Sequence, residues 1–109
     1  MNALDQTFAA LSDPTRRAIV ARLAKGDATV GELAGPFRIS LPAISRHLKV
    51  LEEASLITNE RQGKHRHCHL KPEALAKAVE WIDFQRSFWS GSFDRLEVRL
   101  KQSRKDKKT

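Results

Sequence analysis

Apolar residues recur along this chain at helical spacing, then briefly at alternate positions, then at helical spacing again. Leu4, Phe8 and Leu11 form a stripe that predicts a short helix over residues 2–11. Ser12, Asp13 and Pro14 interrupt it. Asp13 can cap a second helix with Pro14 at its first position, and Ile19, Val20 and Leu23 give that helix an apolar face. Gly26 and Asp27 end it. Thr29 and Glu32 stand at capping-box spacing before a third short helix carrying Val30, Leu33 and Ala34. Gly35 and Pro36 close that helix, and residues 37–39 make a tight connection. The next stretch, SLPAISRHLKVLEEA over residues 40–54, organises the chain. Ser40 can cap it, Pro42 fits its first turn, and Ile44, Leu48 and Leu51 share one face. The opposite face shows Pro42, Ala43, Arg46 and Lys49.

After Ala54 the period shortens to two. Strands are expected over 56–62 and 65–70, with Gly63 and Lys64 at a tight turn. Alternation places Cys68 and Leu70 on one side and His65, His67 and His69 on the other. Pro72 then opens the longest helix, expected to reach Leu100 or a little beyond. Leu75, Val79, Ile82, Trp89, Phe93, Leu96 and Leu100 follow spacings of four and three, with Arg86 breaking the series. Trp81, Phe84 and Phe88 make a second stripe. One face is expected to close the core and the other to join a second chain. The ending KQSRKDKKT has no apolar period and reads as a frayed cationic tail. The pattern predicts a mainly α fold with a small β-hairpin: a winged helix-turn-helix with a long C-terminal dimerisation helix. It is read as one domain over residues 1–102, with dimerisation helices at both ends and a basic flexible tail over 103–109.

Composition narrows the partner. Twenty Lys plus Arg against thirteen Asp plus Glu give a formal charge of +7, which draws a chain to polyanions. Charge by itself fits RNA or an anionic membrane surface nearly as well as DNA. The element order favours duplex DNA, since a helix can enter the major groove while a basic hairpin reaches the backbone beside it. The single cysteine suits a reducing cytoplasm. The absence of a long apolar run and of a basic leader predicts no membrane span and a cytoplasmic location.

Base-reading candidates are Ser40, Pro42, Ala43, Ser45 and Arg46, with Arg46 foremost because its forked donors match guanine. Candidates for phosphate or wing contacts are His47, Lys49, Arg61, Lys64, His65 and Arg66. His47 could donate to a phosphate or pack back into the domain. Candidates for the dimer interface are Leu4, Phe8, Trp81, Phe84, Phe88, Trp89, Phe93 and Leu96. His65, His67 and His69 are weak metal candidates, because adjacent strand positions point apart and a fourth ligand must come from elsewhere. Cys68 could sense oxidants if exposed, but it shares its side with Leu70, which argues for burial. No metallohydrolase motif, glycine-rich phosphate loop or paired catalytic carboxylates occur, so an enzyme is not expected. Neither a cofactor nor a metal or small-molecule effector is expected.

FAALSDPTRRAI, ELAGPFRISLPAISRHLKVLEEASLI, RQGKHRHCHL and PEALAKAVEWIDFQRSFWSGSFDRLEVRL together cover most of residues 4–100. In that combination the chain resembles the ArsR family of winged helix-turn-helix repressors, and specifically a metal-independent subgroup with paired tryptophans. The resemblance implies a homodimer, formed by the first and last helices, on an imperfect palindrome in a promoter. It places Ser40, Pro42, Ala43, Ser45, Arg46 and His47 in the recognition helix and Arg61, Lys64 and Arg66 in the wing. Family metal sensors carry cysteines near the recognition helix or histidines on the last helix. Here ELAGPFRIS has neither residue type, and residues 72–100 have no histidine. Ser55 stands where the family has glycine, and so must accept a glycine-like turn. Two rivals remain open at this point: a protein-interaction module of the same shape, and a metal-responsive repressor using His65, His67 and His69.

Overall fold

A computed structural model describes residues 2–107; the side chains of Phe93 and of residues 104–107, and residues 108 and 109 of the expected tail, lie outside the described residues. Helix α1 is Ala3–Ala10, α2 is Pro14–Leu23, strand β1 is Ala28–Thr29 and α3 is Val30–Ala34. A 3-10 turn, Gly35–Phe37, leads to α4, Leu41–Glu53. Strands β2, Ile57–Gln62, and β3, His65–Leu70, precede α5, Pro72–Lys107. The chain forms two compact units, residues 1–78 and 79–109.

The first unit is built by local signals that agree with one another. Asn2 caps α1 by accepting from the Asp5 amide, and Asp13 caps α2 by accepting from the Arg16 amide. Thr29 and Glu32 complete the reciprocal capping box of α3. Ser40 Oγ accepts from Ala43 N at 3.2 Å and starts α4. Ile44, Leu48 and Leu51 point inward from α4 and are fully buried with Ile19, Leu33, Leu56, Ile57 and Cys68. Ser55 takes the left-handed turn with φ 60, and Arg38 does so before α4 with φ 51.

The hairpin forms with the expected turn, where Gly63 has φ 63. Its register pairs Gln62 with His65 and Ile57 with Leu70. The sheet has a third strand that the pattern did not announce. Residues Ala28 and Thr29 pair antiparallel with Cys68 and His67, giving the order β1-β3-β2. Two residues are too short to show a period, and Thr29 already carried a helix-cap signal.

Helix α1 turns inward two residues that its apolar stripe did not include. Its buried positions are Thr7 and Ala10, while Leu4 is half-buried and Phe8 is exposed. Thr7 can be buried because its hydroxyl donates to Ala3 O at 3.0 Å.

Helix α5 corrects two expectations. Its helical backbone runs to Lys107, past the expected end near Leu100. Lys, Arg and Gln are good helix formers, and the Lys101–Glu97 pair at 3.2 Å supports the last turns. The apolar series also fails to close the core along its length. Ala78 is buried and Ala74 and Leu75 pack against the core. From Val79 onward described residues of both stripes are exposed, Val79, Ile82, Leu96 and Leu100 of one and Trp81, Phe84 and Phe88 of the other. Phe84 and Phe88 meet edge to face with centroids 5.2 Å apart. Among the described residues, no helix is long and apolar enough to cross a membrane.

Candidate nucleic-acid interface

Helix α4 turns its apolar stripe inward, so the remaining positions are displayed. Ser40, Pro42, Ser45, Arg46 and Lys49 are exposed, and Ala43 is half-buried. The first turn carries no acid, and the Ser40 cap satisfies the Ala43 amide there. Across from α4 stands the wing. Arg61, Lys64, His65 and Arg66 are exposed around its turn, and Arg61 Nε donates to Gly63 O at 3.3 Å, which ties the arginine to the loop.

The two sets meet in a groove of about 560 Å³. Ser45 and Lys49 line one wall, and Lys64, His65 and Arg66 line the other. Thr29 and Asn59 complete the floor side, and Glu52 contributes an acid. Asn59 Oδ1 is buried there without a hydrogen-bond partner among the described residues. Ser40, Pro42, Ala43 and Arg46 are not part of that groove. They sit at the start and along the outer side of α4.

His47 behaves differently from its neighbours on α4. Its side chain is 24 % exposed, and Nδ1 lies 3.3 Å from Arg16 NH1 and 3.8 Å from Asp13 Oδ2. Of the two fates open to it in sequence, the ring's Nδ1 side packs back into the domain. Arg16 is the residue that sequence reasoning missed. Its Nε donates to Ala10 O at 2.6 Å and its NH2 to Ala9 O at 3.3 Å, so it also closes the end of α1. Arg17 adds a bond from NH1 to Leu11 O at 2.9 Å. The signal was the two arginines directly after a helix start, within reach of the carbonyls left free by the helix before it. The Asp13 carboxyl is held below its ordinary range, chiefly by the Arg16 amide and also by the Arg16 charge.

The wing histidines do not converge. His65 is exposed, and His67 is half-buried opposite Thr29. His69 Nδ1 lies 2.6 Å from Asp27 Oδ2. Among the described residues, no group of three or more His, Cys, Asp or Glu is placed to hold a metal ion. Cys68 is fully buried, and burial with the nearby Glu52 charge pushes its thiol up to about 11.

Residues 11–60 match a family model described as a helix-turn-helix domain. The chain is 39 % identical over 79 residues to the transcriptional repressor SdpR of Bacillus subtilis, covering 72 % of this chain and 88 % of that one. It is 45 % identical over 86 residues to the HTH-type transcriptional regulator Rv2034 of Mycobacterium tuberculosis, covering 79 % and 78 %. The crystal structure of the ArsR family transcriptional regulator RHA00566 superposes with a TM-score of 0.78 at 39 % identity, over 82 % of this chain and 98 % of that one. The chain belongs to the ArsR family. With that membership it is a winged helix-turn-helix transcription regulator, and α3, the 3-10 turn and α4 are its helix-turn-helix. The ArsR-type wing is β2 and β3, extended here by the short β1.

Proposed function

We propose that this protein is a homodimeric repressor that binds a palindromic operator in duplex DNA without a metal. Two copies of α4 enter successive major grooves about 34 Å apart, one turn of duplex. Ser40, Pro42, Ala43, Ser45 and Arg46 read bases, with Arg46 the foremost. Lys49, Arg61, Lys64, His65 and Arg66 hold phosphates, which set position and not sequence. Occupying a promoter then blocks transcription in the cytoplasm. The observation that carries this reading is the groove in which Lys49 of α4 faces Lys64 and Arg66 of the wing. Support for a dimer comes from apolar side chains left at the surface. Phe8 on α1 is exposed, as are Trp81, Phe84, Phe88, Trp89 and Leu96 on α5. Leu4 and Phe93 complete the proposed contact. Metal independence is supported by the lack of Cys and His over residues 32–40 and 72–107 and by the Asp27 contact of His69.

Selection of bound duplexes from a random pool, followed by titration of two variants, tests the reading. Arg46→Ala relaxes preference at one or two base pairs, by about 1–3 kcal/mol each. Lys64→Ala weakens all duplexes alike and lowers the salt slope by about 1. Equal affinity of the parent protein for selected and random duplex at physiological salt refutes it. Unchanged selection with zinc present supports the metal-free form.

A further inference from the structure

Apolar burial holds α4 in the fold through Ile44, Leu48 and Leu51, which lie on one stripe. Such contacts are non-directional and leave the helix some freedom to rock about that stripe. A hydrogen bond with fixed geometry removes the freedom. Among the described residues, His47 makes the polar side-chain link from α4 to another helix, and the link runs to Arg16. Arg16 is itself immobilised. Its guanidinium spans Ala9 O, Ala10 O and His47 Nδ1, and its backbone amide donates to Asp13 Oδ2 at 3.0 Å. A guanidinium only donates, so His47 Nδ1 accepts and the ring proton sits on Nε2.

We propose that His47 is a positioning residue that locks the recognition helix to the corner between α1 and α2. By doing so it sets which spacing of half-sites the dimer accepts. This rests on the dimeric DNA-binding reading above, in which α1 contributes to the contact between copies. The chain of bonds then runs from a dimer helix, through one guanidinium, to the helix that reads bases. His47 acts through α4 and not through a phosphate, which reassigns it from the set of wing and phosphate contacts.

Two isosteric substitutions separate these roles. Asparagine places its carbonyl oxygen near the former Nδ1 and can still accept from Arg16. Glutamine places its amide near the former Nε2 and cannot. The full-length protein is titrated with duplexes carrying the selected half-site twice, at centre-to-centre spacings of about 9 to 13 base pairs. The parent protein and His47→Asn prefer one spacing over its neighbours by about tenfold. His47→Gln and Arg16→Lys bind all spacings within about threefold of each other, with unchanged base preference inside a half-site and unchanged salt slope. A general loss of stability lowers every affinity in proportion and leaves the spacing optimum in place, so that result overturns the proposal. The reverse pattern also overturns it: a sharp optimum in His47→Gln, with His47→Asn losing about one unit of salt slope, assigns His47 to a phosphate. If the parent protein itself shows no preferred duplex, the DNA-binding reading falls and this inference with it. If it shows a spacing optimum that every variant keeps, only the role of His47 falls.

Discussion

Ser55 sits at φ 60, where a Cβ crowds the following carbonyl, and no side-chain bond of its own offsets that crowding among the described residues. The turn is kept because the Leu56 amide must reach Leu51 O, at 3.0 Å, to end α4 and start β2. Ser55→Gly therefore raises stability by about 0.5–1 kcal/mol in urea titrations. Cys68 illustrates the opposite situation, in which a reactive group is disarmed by its surroundings. Its thiol is pushed up from 9.0 to about 11, so at neutral pH it is a small apolar filler and a poor oxidant sensor. Iodoacetamide should label it much more slowly in the native chain than in urea. The stability from keeping this thiol neutral is complete below pH 9.0 and is lost as pH rises toward about 11. A native chain labelled as fast as the unfolded one at pH 7 contradicts this account.

At the scale of elements, capping decides where helices start. Thr29 Oγ1 accepts from the Glu32 amide at 3.2 Å, and Glu32 Oε1 accepts from Thr29 N at 3.1 Å. Thr29→Ala should cost about 1 kcal/mol in denaturant titrations and loosen α3 first. The Asp13 and Glu32 carboxyls are both held below their ordinary ranges, chiefly by the backbone amides they accept from. Their contribution is therefore present above the ordinary carboxylate range and lost as pH falls through the lowered values. Acid unfolding followed by circular dichroism should shift to higher pH in Asp13→Asn. These same caps made the sequence legible. Asp13, Thr29 and Ser40 each announced a helix start, and Ile44, Leu48 and Leu51 announced the buried side of α4. What stayed hidden depends on partners distant in the chain. β1 is too short to have a period, and the inward turn of Thr7 and Ala10 is fixed by what α1 packs on. The Arg16–His47 contact joins residues 31 apart, which no local spacing reveals. The displayed side of the recognition helix was readable because everything behind it was apolar.

For the whole molecule, the net charge of +7 and the exposed apolar residues of α5 call for two kinds of partner. Polyanion binding should weaken steeply with salt, since each phosphate contact releases counterions. The aromatic side chains of α5 are many for a water-facing helix, and the proposed contact between copies would cover them. Replacing Phe84 and Phe88 together by Asp should weaken self-association by about a hundredfold or more in sedimentation equilibrium. Unfolding of the first unit, whose core lies within residues 1–78, should change little in that variant. Unchanged self-association in that variant would move the proposed self-contact elsewhere on the chain.

The three-stranded part of the sheet is shorter than the hairpin that grows from it. β1 backs β3 at Cys68 and His67 only, so Arg66, His65 and the turn rest on a ladder with one neighbour. The wing is thus backed on its second side only at its root, with its basic tip beyond the last residue that β1 pairs. In the proposed complex that leaves the tip free of a second strand where it would meet a phosphate backbone, while the backed root lies next to the proposed reading helix.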